Sequence, residues 1–419
     1  MKRNFILSLM WLFLPAVAVQ AQTDVFRTRT LADIPYRIPA IATTKDGTLV
    51  AVSDYRYCHS DIGAGRIDFH FRRSDDNGKT WGNIYIPTTM QGDGDLTPGH
   101  QEAGYGDAAL VADRGSRRML ILCCSGSPLF GYSTPERHQG MARFYSEDGG
   151  LTWSSPEYIE EETIYRPLAE SQYGQVSGWF VGSGRILQSR TVKVGKYYRL
   201  YCAGMTRNGK EDANWVLYSD DFGQTWNFLG GCDASPIPGG NEPKCEELPD
   251  GNLLLSSRAW GGRFYNLFSF TDVKKAEGAW AKRAFSGQGN KGVTAEQNSC
   301  NGEVMLVPVV RVSDNKKMHL LLQSLPFGEK RANVGIYYKE LVSPADYATP
   351  EAVARDWTGR YQVSTLPSAY STMTLQKDNA LGFLYEEETY CNSSKGGYNI
   401  VYKRLTIEDI TNGAYRYRK

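Results

Sequence analysis

The stretch Ser74-Asp75-Asp76-Asn77-Gly78-Lys79-Thr80-Trp81 has the form S-x-D-x-G-x-T-W, and the chain repeats that form at residues 146–153 and 219–226. Each copy lies between two strand-like runs, which predicts a hairpin turn. In such a turn the Asp accepts hydrogen bonds from turn amides, the Gly adopts a conformation that other residues resist, and the Trp packs the turn onto its sheet. We call the three copies the Asp boxes. They predict a repeated β-hairpin unit.

The spacing of the Asp boxes indicates how the chain is organised. They begin at residues 74, 146 and 219, and a degraded fourth copy lies at 269–272 and closes at Trp280. Short strand patterns separated by turn residues fill the intervals, and only residues 344–357 and 406–411 suggest short helices. Regular short strands with turn punctuation indicate an all-β propeller or sandwich. Because no linker interrupts the pattern, we predict one domain over residues 22–419.

The first residues have the composition of a secretory signal peptide. Lys2 and Arg3 precede an apolar run, which ends in the small-residue pattern Val19-Gln20-Ala21. We predict a signal peptide over residues 1–21. Its apolar core contains Pro15 and is shorter than the roughly 20 residues of a membrane span, so a membrane anchor is disfavoured. We therefore expect an exported protein without a membrane span, in the periplasm or outside the cell.

Charge and cysteine content exclude several classes of partner. The 47 basic residues nearly balance the 46 acidic ones, whereas nucleic acid or an anionic membrane would require a basic excess. The eight cysteines lack the paired C-x-x-C spacing of a zinc site. We expect no nucleic-acid partner and no bound metal, and disulfides are permitted without being required.

A second motif carries a family resemblance. Tyr36-Arg37-Ile38-Pro39 stands near the predicted mature N-terminus, and an R-I-P string followed by three Asp boxes resembles the bacterial exo-α-sialidases, or neuraminidases. The resemblance extends over the whole mature sequence. It implies a six-bladed β-propeller and a retaining glycoside hydrolase acting on terminal sialic acid. The Asp boxes also occur in unrelated propellers, so the function must be argued from other residues.

The resemblance implies an arginine clamp. Sialic acid carries a carboxylate on its anomeric carbon, and the planar guanidinium fork donates paired hydrogen bonds to a carboxylate. The three family arginines match Arg37, then Arg258 after the N-E-x-x-x-x-E-L segment at 241–248, and then Arg331, which we expect in a later strand. Arg311 and Lys330 compete with Arg331 for the third position.

The resemblance also implies the reacting groups. Tyr370 in Ser368-Ala369-Tyr370-Ser371 matches the family's nucleophile, and a neutral phenol avoids bringing a second anion against the substrate carboxylate. Glu242 matches its base. Glu246 and Glu247 are lower-ranked alternatives, which we interpret as solvated charges at a strand end.

Asp61, in the loop after the R-I-P hairpin, matches the general acid. Of its rivals, Asp54 lies at a strand end and Asp68 alternates within a strand, so both fit a structural role better than the role of a mobile acid on a loop. A lone loop histidine such as His59 is most often a solvated side chain.

Three further positions match supporting residues of the family. Arg56 resembles the arginine that contacts ring substituents, Asp107 the aspartate that faces the N-acyl arm, and Glu386 the glutamate that holds the R-I-P arginine. Each also fits a structural role, as a turn-stabilising Asp or a rim salt bridge.

These residues predict hydrolysis with retention by a monomer, with a sialylated glycan as partner and no cofactor. A trans-sialidase would use the same residues. A glycan-binding propeller without activity should lack Tyr370, Glu242 or Asp61, and a propeller glycosidase with two carboxylates would leave the three arginines unexplained. Linkage preference and disulfide pairing stay open.

Overall fold

The computed structural model of the protein describes residues 22–28, 33–209, 211–297, 300–388 and 397–419. Its strands form six sheets that follow one another along the chain as the blades of a β-propeller. The prediction of an all-β, six-bladed β-propeller is confirmed. The first strand, β1 (Thr23–Phe26), belongs to the last blade.

The strands of the first three blades have the following bounds. The first blade contains β2 (Tyr36–Thr43), β3 (Leu49–Arg56) and β4 (Ile67–Ser74). The second contains β5 (Tyr105–Ala112), β6 (Met119–Ser125), β7 (Gly140–Ser146) and β8 (Glu157–Tyr158). The third contains β9 (Gly178–Val181), β11 (Leu187–Val194), β12 (Tyr197–Arg207), β13 (Asp212–Ser219), β14 (Asn227–Phe228) and β15 (Ile237–Pro238), and the intervening β10 (Gly184–Arg185) pairs with β5.

The other three blades follow the same plan. The fourth contains β16 (Pro243–Glu247), β17 (Leu253–Ala259), β18 (Gly262–Asp272), β19 (Glu277–Trp280) and β20 (Ala284–Ser286). The fifth contains β21 (Val304–Arg311), β22 (Lys317–Pro326), β23 (Val334–Leu341) and β24 (Gly359–Gln362), joined by β28 (Tyr415–Tyr417). The sixth contains β25 (Ser368–Leu375), β26 (Leu381–Glu387) and β27 (Asn399–Leu405).

The ring is closed by pairing between its two ends. Strand β1 pairs with β27, with Thr23 opposite Tyr402, so the sixth blade combines the start and the end of the described chain. This pairing ties the last blade to the first part of the sequence and so closes the ring.

The hydrophobic core lies between neighbouring blades. All seven residues of β6 are buried, as expected for a strand covered on both faces. Leu120 of the second blade and Leu217 of the third belong to one buried cluster. Each fully buried side chain of this size stabilises the fold by about 1.5–3 kcal/mol, so the packing of blade on blade dominates stability.

The Asp boxes form the predicted turns. In the second box, Asp148 accepts hydrogen bonds from Thr152 N at 3.0 Å and from Thr152 Oγ1 at 2.6 Å, and Ser146 Oγ donates to it at 2.8 Å. The boxes begin at the last residues of β4, β7 and β13. Each of these is the third strand of its blade, counted outward from the innermost strand. Because successive strands alternate in direction, these turns lie at the end of the ring opposite to the end where the innermost strands begin. In the degraded fourth copy, Asp272 accepts hydrogen bonds from the amides of Lys274 and Lys275.

Helices are short. The two predicted regions contain a 3-10 turn at Pro344–Asp346, α2 (Pro350–Ala354) and α3 (Ile407–Ile410). The sequence patterns missed a π-helical turn at Glu161–Tyr165, which continues into α1 (Arg166–Glu170). Other 3-10 turns are Thr88–Met90, Gln101–Ala103, Phe130–Tyr132 and Gln288–Asn290.

Within the described ranges, every helix falls short of the length and apolarity needed to cross a bilayer. The predicted signal peptide over residues 1–21 lies outside the described residues and stays a prediction. The seven cysteines in the described part of the chain are free thiols, and Cys391 lies outside it.

Candidate active site

The candidate site lies where the innermost strands of the blades begin. Arg37 is the second residue of β2, Asp107 the third of β5 and Tyr370 the third of β25. Each of these strands has a register shift beside that residue, between Arg37 and Ala40, between Gly106 and Ala109, and between Ser368 and Ser371. A β-bulge redirects a side chain and is common next to active sites. Three bulges in equivalent positions therefore direct three functional side chains toward one end of the ring.

Tyr370, Glu242 and Arg258 form the centre of the site. The Tyr370 hydroxyl donates a hydrogen bond to Glu242 Oε1 at 2.5 Å. Glu242 Oε2 accepts from Arg258 Nη1 at 2.7 Å, and the same nitrogen lies 3.3 Å from the Tyr370 oxygen. Glu242 and Arg258 come from the fourth blade and Tyr370 from the sixth. The phenol and a carboxylate are therefore held in direct contact, as a nucleophile and its base require.

Glu386 connects Arg37 of the R-I-P string to the strand that contains Tyr370. It is fully buried, and its Oε1 accepts from Arg37 Nε at 2.8 Å and from the Ile38 amide at 2.8 Å. Its Oε2 accepts from the Tyr370 amide at 3.2 Å. One carboxylate on β26 thus fixes Arg37 in the neighbouring blade and Tyr370 in its own.

Arg331, the third predicted arginine, also lies close to Tyr370. The guanidinium carbon of Arg331 lies 5.6 Å from the centre of the Tyr370 ring, and that of Arg37 lies 5.9 Å from it. The three predicted arginines therefore surround one tyrosine. Arg331 lies in the loop between β22 and β23, so its predicted place in a strand is wrong. Its competitor Arg311 ends β21, away from the site, and pairs with Glu340.

The surroundings of Tyr370 keep its phenol protonated. Burial raises the pKa of Tyr370 well above its ordinary value, the Glu242 charge acts in the same direction, and Arg258 and Arg331 act against both. The hydroxyl is therefore neutral near neutral pH, and transfer of its proton to Glu242 would make it nucleophilic.

Arg56 organises a second group of carboxylates in the first two blades. Its Nη1 donates to Asp61 Oδ1 at 2.9 Å, and its Nη2 donates to Asp54 Oδ2 at 2.8 Å and lies 3.5 Å from Asp107 Oδ2. Burial and the Asp54 charge raise the pKa of Asp107 well above its ordinary value, and Glu242 adds to the increase. The Glu242 charge therefore acts on Asp107 as well as on Tyr370.

The predicted acid is exposed on an anchored loop. The Asp61 side chain is 57% exposed, whereas its neighbour Ile62 is buried in the core between blades. The side-chain amide of Gln139 donates a hydrogen bond from Nε2 to Ile62 O at 2.9 Å. Gly63 has a φ of +97°, and a Cβ there would lie 2.4 Å from the backbone of Pro128 and Leu129. Asp61 thus reaches solvent from a stretch of backbone that these contacts anchor.

We expect Gly63→Ala to lower kcat for a sialylated oligosaccharide about 10²-fold, because a displacement of about 1 Å at a catalytic group has that cost. Gly174→Ala is the matched control, since Gly174 has a φ of +89° but a Cβ added there would have no atom within 4 Å. Steady-state kinetics and melting temperatures of both variants test this. Equal losses of kcat in the two variants would contradict it, because strain of the backbone alone would then explain the effect.

The alternatives for the base are structural. Glu246 and Glu247 are buried, so their interpretation as solvated charges is wrong. Glu246 pairs with Arg185 at 2.8 Å and with Arg190 at 2.7 Å, and Glu247 accepts from Ser189 Oγ at 2.7 Å. These contacts fix the third blade against the fourth. Both carboxylates are occupied away from Tyr370.

The rivals for the acid fit the structural roles predicted for them. Asp54 and Asp68 are both buried. Asp68 pairs with Arg66 at 2.8 Å and accepts from the Gly92 amide at 2.9 Å. His59 is exposed in the loop that precedes Asp61.

Two residues beside the site were not found from the sequence. The Tyr398 ring lies 5.2 Å from the Arg37 guanidinium carbon, and Cys300 packs in one buried cluster with Tyr370 and Tyr398. Tyr398 is one of 26 tyrosines and Cys300 one of eight cysteines, and neither stands in a recognisable motif. No signal in one sequence distinguishes them.

One surface cluster has the composition of a metal site. Asp93, His100 and Glu102 place their ligand atoms within 4.8 Å of one another, the one such group of three in the described ranges. His100 Nε2 lies 2.6 Å from Asp93 Oδ2, which is an ordinary ion-pair distance. The group lies at the surface, so it does not by itself indicate a metal site.

Known proteins resemble this chain in sequence. The BNR/Asp-box repeat family matches residues 217–228, which contain the third Asp box. The protein named Sialidase from Paraclostridium sordellii is 28% identical over 278 residues, which are 65% of this chain and 63% of that protein. The chain is a relative of the sialidases. The resemblance carried by the R-I-P string and the Asp boxes is confirmed, although the chain spans less than two thirds of that sialidase's length.

Solved structures of sialidases share the fold. A Hadza microbial sialidase has a TM-score of 0.67 at 20% identity, with 93% of this chain and 69% of that chain covered. The intramolecular trans-sialidase from Ruminococcus gnavus, solved with oseltamivir carboxylate, has a TM-score of 0.64 at 17% identity, with 90% and 95% covered. At these identities the likeness concerns the propeller alone.

Proposed function

We propose that the protein is an exo-α-sialidase that hydrolyses terminal, α-linked sialic acid from glycans with retention of configuration. The observation that carries this proposal is the contact of 2.5 Å between the Tyr370 hydroxyl and Glu242, within a ring of three arginines. The resemblance to sialidases supports the same reaction and the same substrate class.

The arginines suit the substrate carboxylate. Arg37 and Arg258 are each paired with one buried carboxylate, and Arg331 brings a third guanidinium to Tyr370. An incoming carboxylate would accept charge-assisted hydrogen bonds from these guanidinium groups. The anomeric carbon, which bears the carboxylate, would then lie over the Tyr370 oxygen.

In the first step, the Tyr370 oxygen bonds to the anomeric carbon and gives its proton to Glu242 Oε1. The bond from the anomeric carbon to the glycosidic oxygen breaks, and Asp61 donates its proton to that oxygen. The released sugar leaves with a hydroxyl, and sialic acid stays attached to Tyr370. Because the phenol starts out neutral, it approaches the substrate carboxylate without charge repulsion.

In the second step, water bonds to the anomeric carbon and gives one proton to the Asp61 carboxylate. The bond to Tyr370 breaks, and its oxygen recovers the proton from Glu242. Both carboxylates return to their starting protonation states. Two displacements at one carbon retain its configuration, so the α-anomer of sialic acid is released first.

The purified protein tests this proposal with 4-methylumbelliferyl α-sialoside and with sialyllactose. We expect release of free sialic acid from both, and proton NMR early in the reaction should show the α-anomer. Release of the β-anomer first would contradict the double displacement. An anhydro sugar as the product would indicate an intramolecular trans-sialidase, and binding without turnover would indicate a glycan-binding propeller. Either outcome overturns the proposal.

We further propose that residues 22–419 act as one catalytic domain, exported as a monomer after cleavage at Ala21. The charged start, apolar run and small-residue end of residues 1–21 support export. The pairing of β1 with β27 supports a single closed unit. Fractionation of the producing cells and N-terminal sequencing test the location and the cleavage site.

A further inference from the structure

We propose that Asp54 is a positioning residue for catalysis, which orients the acid Asp61 through the guanidinium of Arg56. This inference rests on the proposed function, since it concerns the same reaction. Asp54 lies within β3, two residues before Arg56, and its side chain is fully buried. It does not itself border the substrate, so its effect must pass through another side chain.

The first link fixes the plane of the Arg56 guanidinium. Asp54 Oδ2 accepts from Arg56 Nε at 3.2 Å and from Arg56 Nη2 at 2.8 Å. Two hydrogen bonds from one edge of a planar, rigid fork leave the group little freedom to rotate. Only 4% of the Arg56 side chain is exposed, which restricts it further.

The second link passes from Arg56 to the acid. The remaining nitrogen, Nη1, donates to Asp61 Oδ1 at 2.9 Å and to Ser60 O at 3.3 Å. Its direction follows from the plane that Asp54 fixes. Asp61 Oδ1 also accepts from the Ile62 amide at 3.0 Å. In the described part of the chain, the side-chain hydrogen bonds of Asp61 are all made by Oδ1, which leaves Oδ2 to carry the proton for the glycosidic oxygen.

Asp54 also anchors a site residue on the next blade. Its Oδ1 accepts from the Asp107 amide at 3.1 Å, at the bulge in β5 where Asp107 has a φ of +59°. One buried carboxylate therefore contacts a side chain of the first blade and a backbone amide of the second. An Asn at this position keeps the shape but replaces one acceptor oxygen by an N–H donor, which would face the N–H groups of Arg56 or Asp107.

A positioning role and a purely structural role predict different kinetics. If Asp54 acts through Asp61, its loss matters most where the leaving group needs a proton. Sialyllactose releases an alcohol that needs one, whereas 4-methylumbelliferone leaves readily as an anion. If Asp54 only stabilises the fold, both substrates should be affected by the same factor.

The experiment compares kcat/KM of Asp54→Asn and of the wild type on both substrates, because kcat/KM reports the first step, in which the leaving group departs, and excludes the second step that both substrates share. We expect a loss on the order of 10²-fold for sialyllactose, which lies in the range of about 10²–10⁴-fold that acid catalysis contributes. The loss for the aryl sialoside should be at least tenfold smaller. Equal losses on both substrates would overturn the proposal. A wild type that turns over neither substrate would instead refute the proposed function.

Asp220→Asn is the matched control. Asp220 accepts from Nε and Nη2 of the buried Arg199 at 2.7 and 2.8 Å, and it lies in the third Asp box at the opposite end of the ring. Its loss should lower the melting temperature and leave the ratio of the two kcat/KM values unchanged. If Asp54→Asn fails to fold, Arg56→Lys serves instead, because an ammonium group cannot span Asp54 and Asp61 as the fork does. The same imbalance between substrates is expected there, and its absence would overturn the proposal.

Discussion

Tyr370→Phe is expected to lose at least about 10⁴-fold in kcat while staying folded, which is the scale seen when a nucleophile is removed. The substitution deletes only the hydroxyl that contacts Glu242 at 2.5 Å. The ring, which lies between the guanidinium groups of Arg37 and Arg331, stays in place. Glu242 keeps its ion pair with Arg258, so no buried carboxylate is left without a partner.

Release of 4-methylumbelliferone measures this loss, and calorimetry with an unsaturated sialic acid analogue measures whether the arginine ring still binds. We expect binding within a few-fold of the wild type, since the guanidinium groups are unchanged. Tyr385→Phe is the control: it removes a buried hydroxyl of the same blade that contacts Glu387 at 3.0 Å, outside the site. Turnover by Tyr370→Phe at the wild-type rate would refute the nucleophile assignment, whatever the control does.

The fold was predictable because its deciding contacts are local. Within an Asp box, Asp148 contacts residues only two to four positions away, so the sequence contains the whole turn. Repetition of that turn then indicates repeated blades. The pairing of β1 with β27 joins residues nearly 380 positions apart, and no local pattern announces it.

The site was predictable to the extent that it carries motifs. Arg37, Glu242 and Tyr370 each stand in a recognisable string, and the structure brings all three together. Arg331 stands in none, so only its residue type and order pointed to it. Its loop conformation depends on packing that the sequence does not display.

The error about Glu246 and Glu247 concerns burial. Glu246 and Glu247 have the pattern of solvated residues, because charged residues at a strand end usually are solvated. Their partners Arg185, in β10, and Arg190, in the third blade, lie about 60 positions earlier in the chain. Asp54 is a similar case, since its spacing from Arg56 is visible but its contact with the Asp107 amide is not. Which charges a propeller buries depends on how neighbouring blades meet, and single-sequence patterns contain little of that information.

Asp61→Asn is expected to separate the two kinds of substrate more strongly than any other single change. For sialyllactose we expect kcat to fall about 10³-fold, since a general acid contributes about 10²–10⁴-fold. The aryl sialoside should keep most of its first-step rate, because its leaving group departs without a proton. The asparagine retains an oxygen that can accept from Arg56 Nη1, as Asp61 Oδ1 does at 2.9 Å, so the site geometry is preserved.

Pre-steady-state kinetics separate the two steps of the reaction. This separation is needed because, in the proposed mechanism, Asp61 also activates water in the second step. With the aryl sialoside, Asp61→Asn should show a burst of 4-methylumbelliferone equal to the enzyme concentration, followed by slow turnover. The burst reports attachment of sialic acid to Tyr370, and mass spectrometry of the quenched protein should show the corresponding mass increase. Double variants extend the argument: Tyr370→Phe combined with Asp61→Asn should show neither burst nor adduct. An adduct in that double variant would mean that another side chain attacks the anomeric carbon, and the contact between Tyr370 and Glu242 would then need a different explanation.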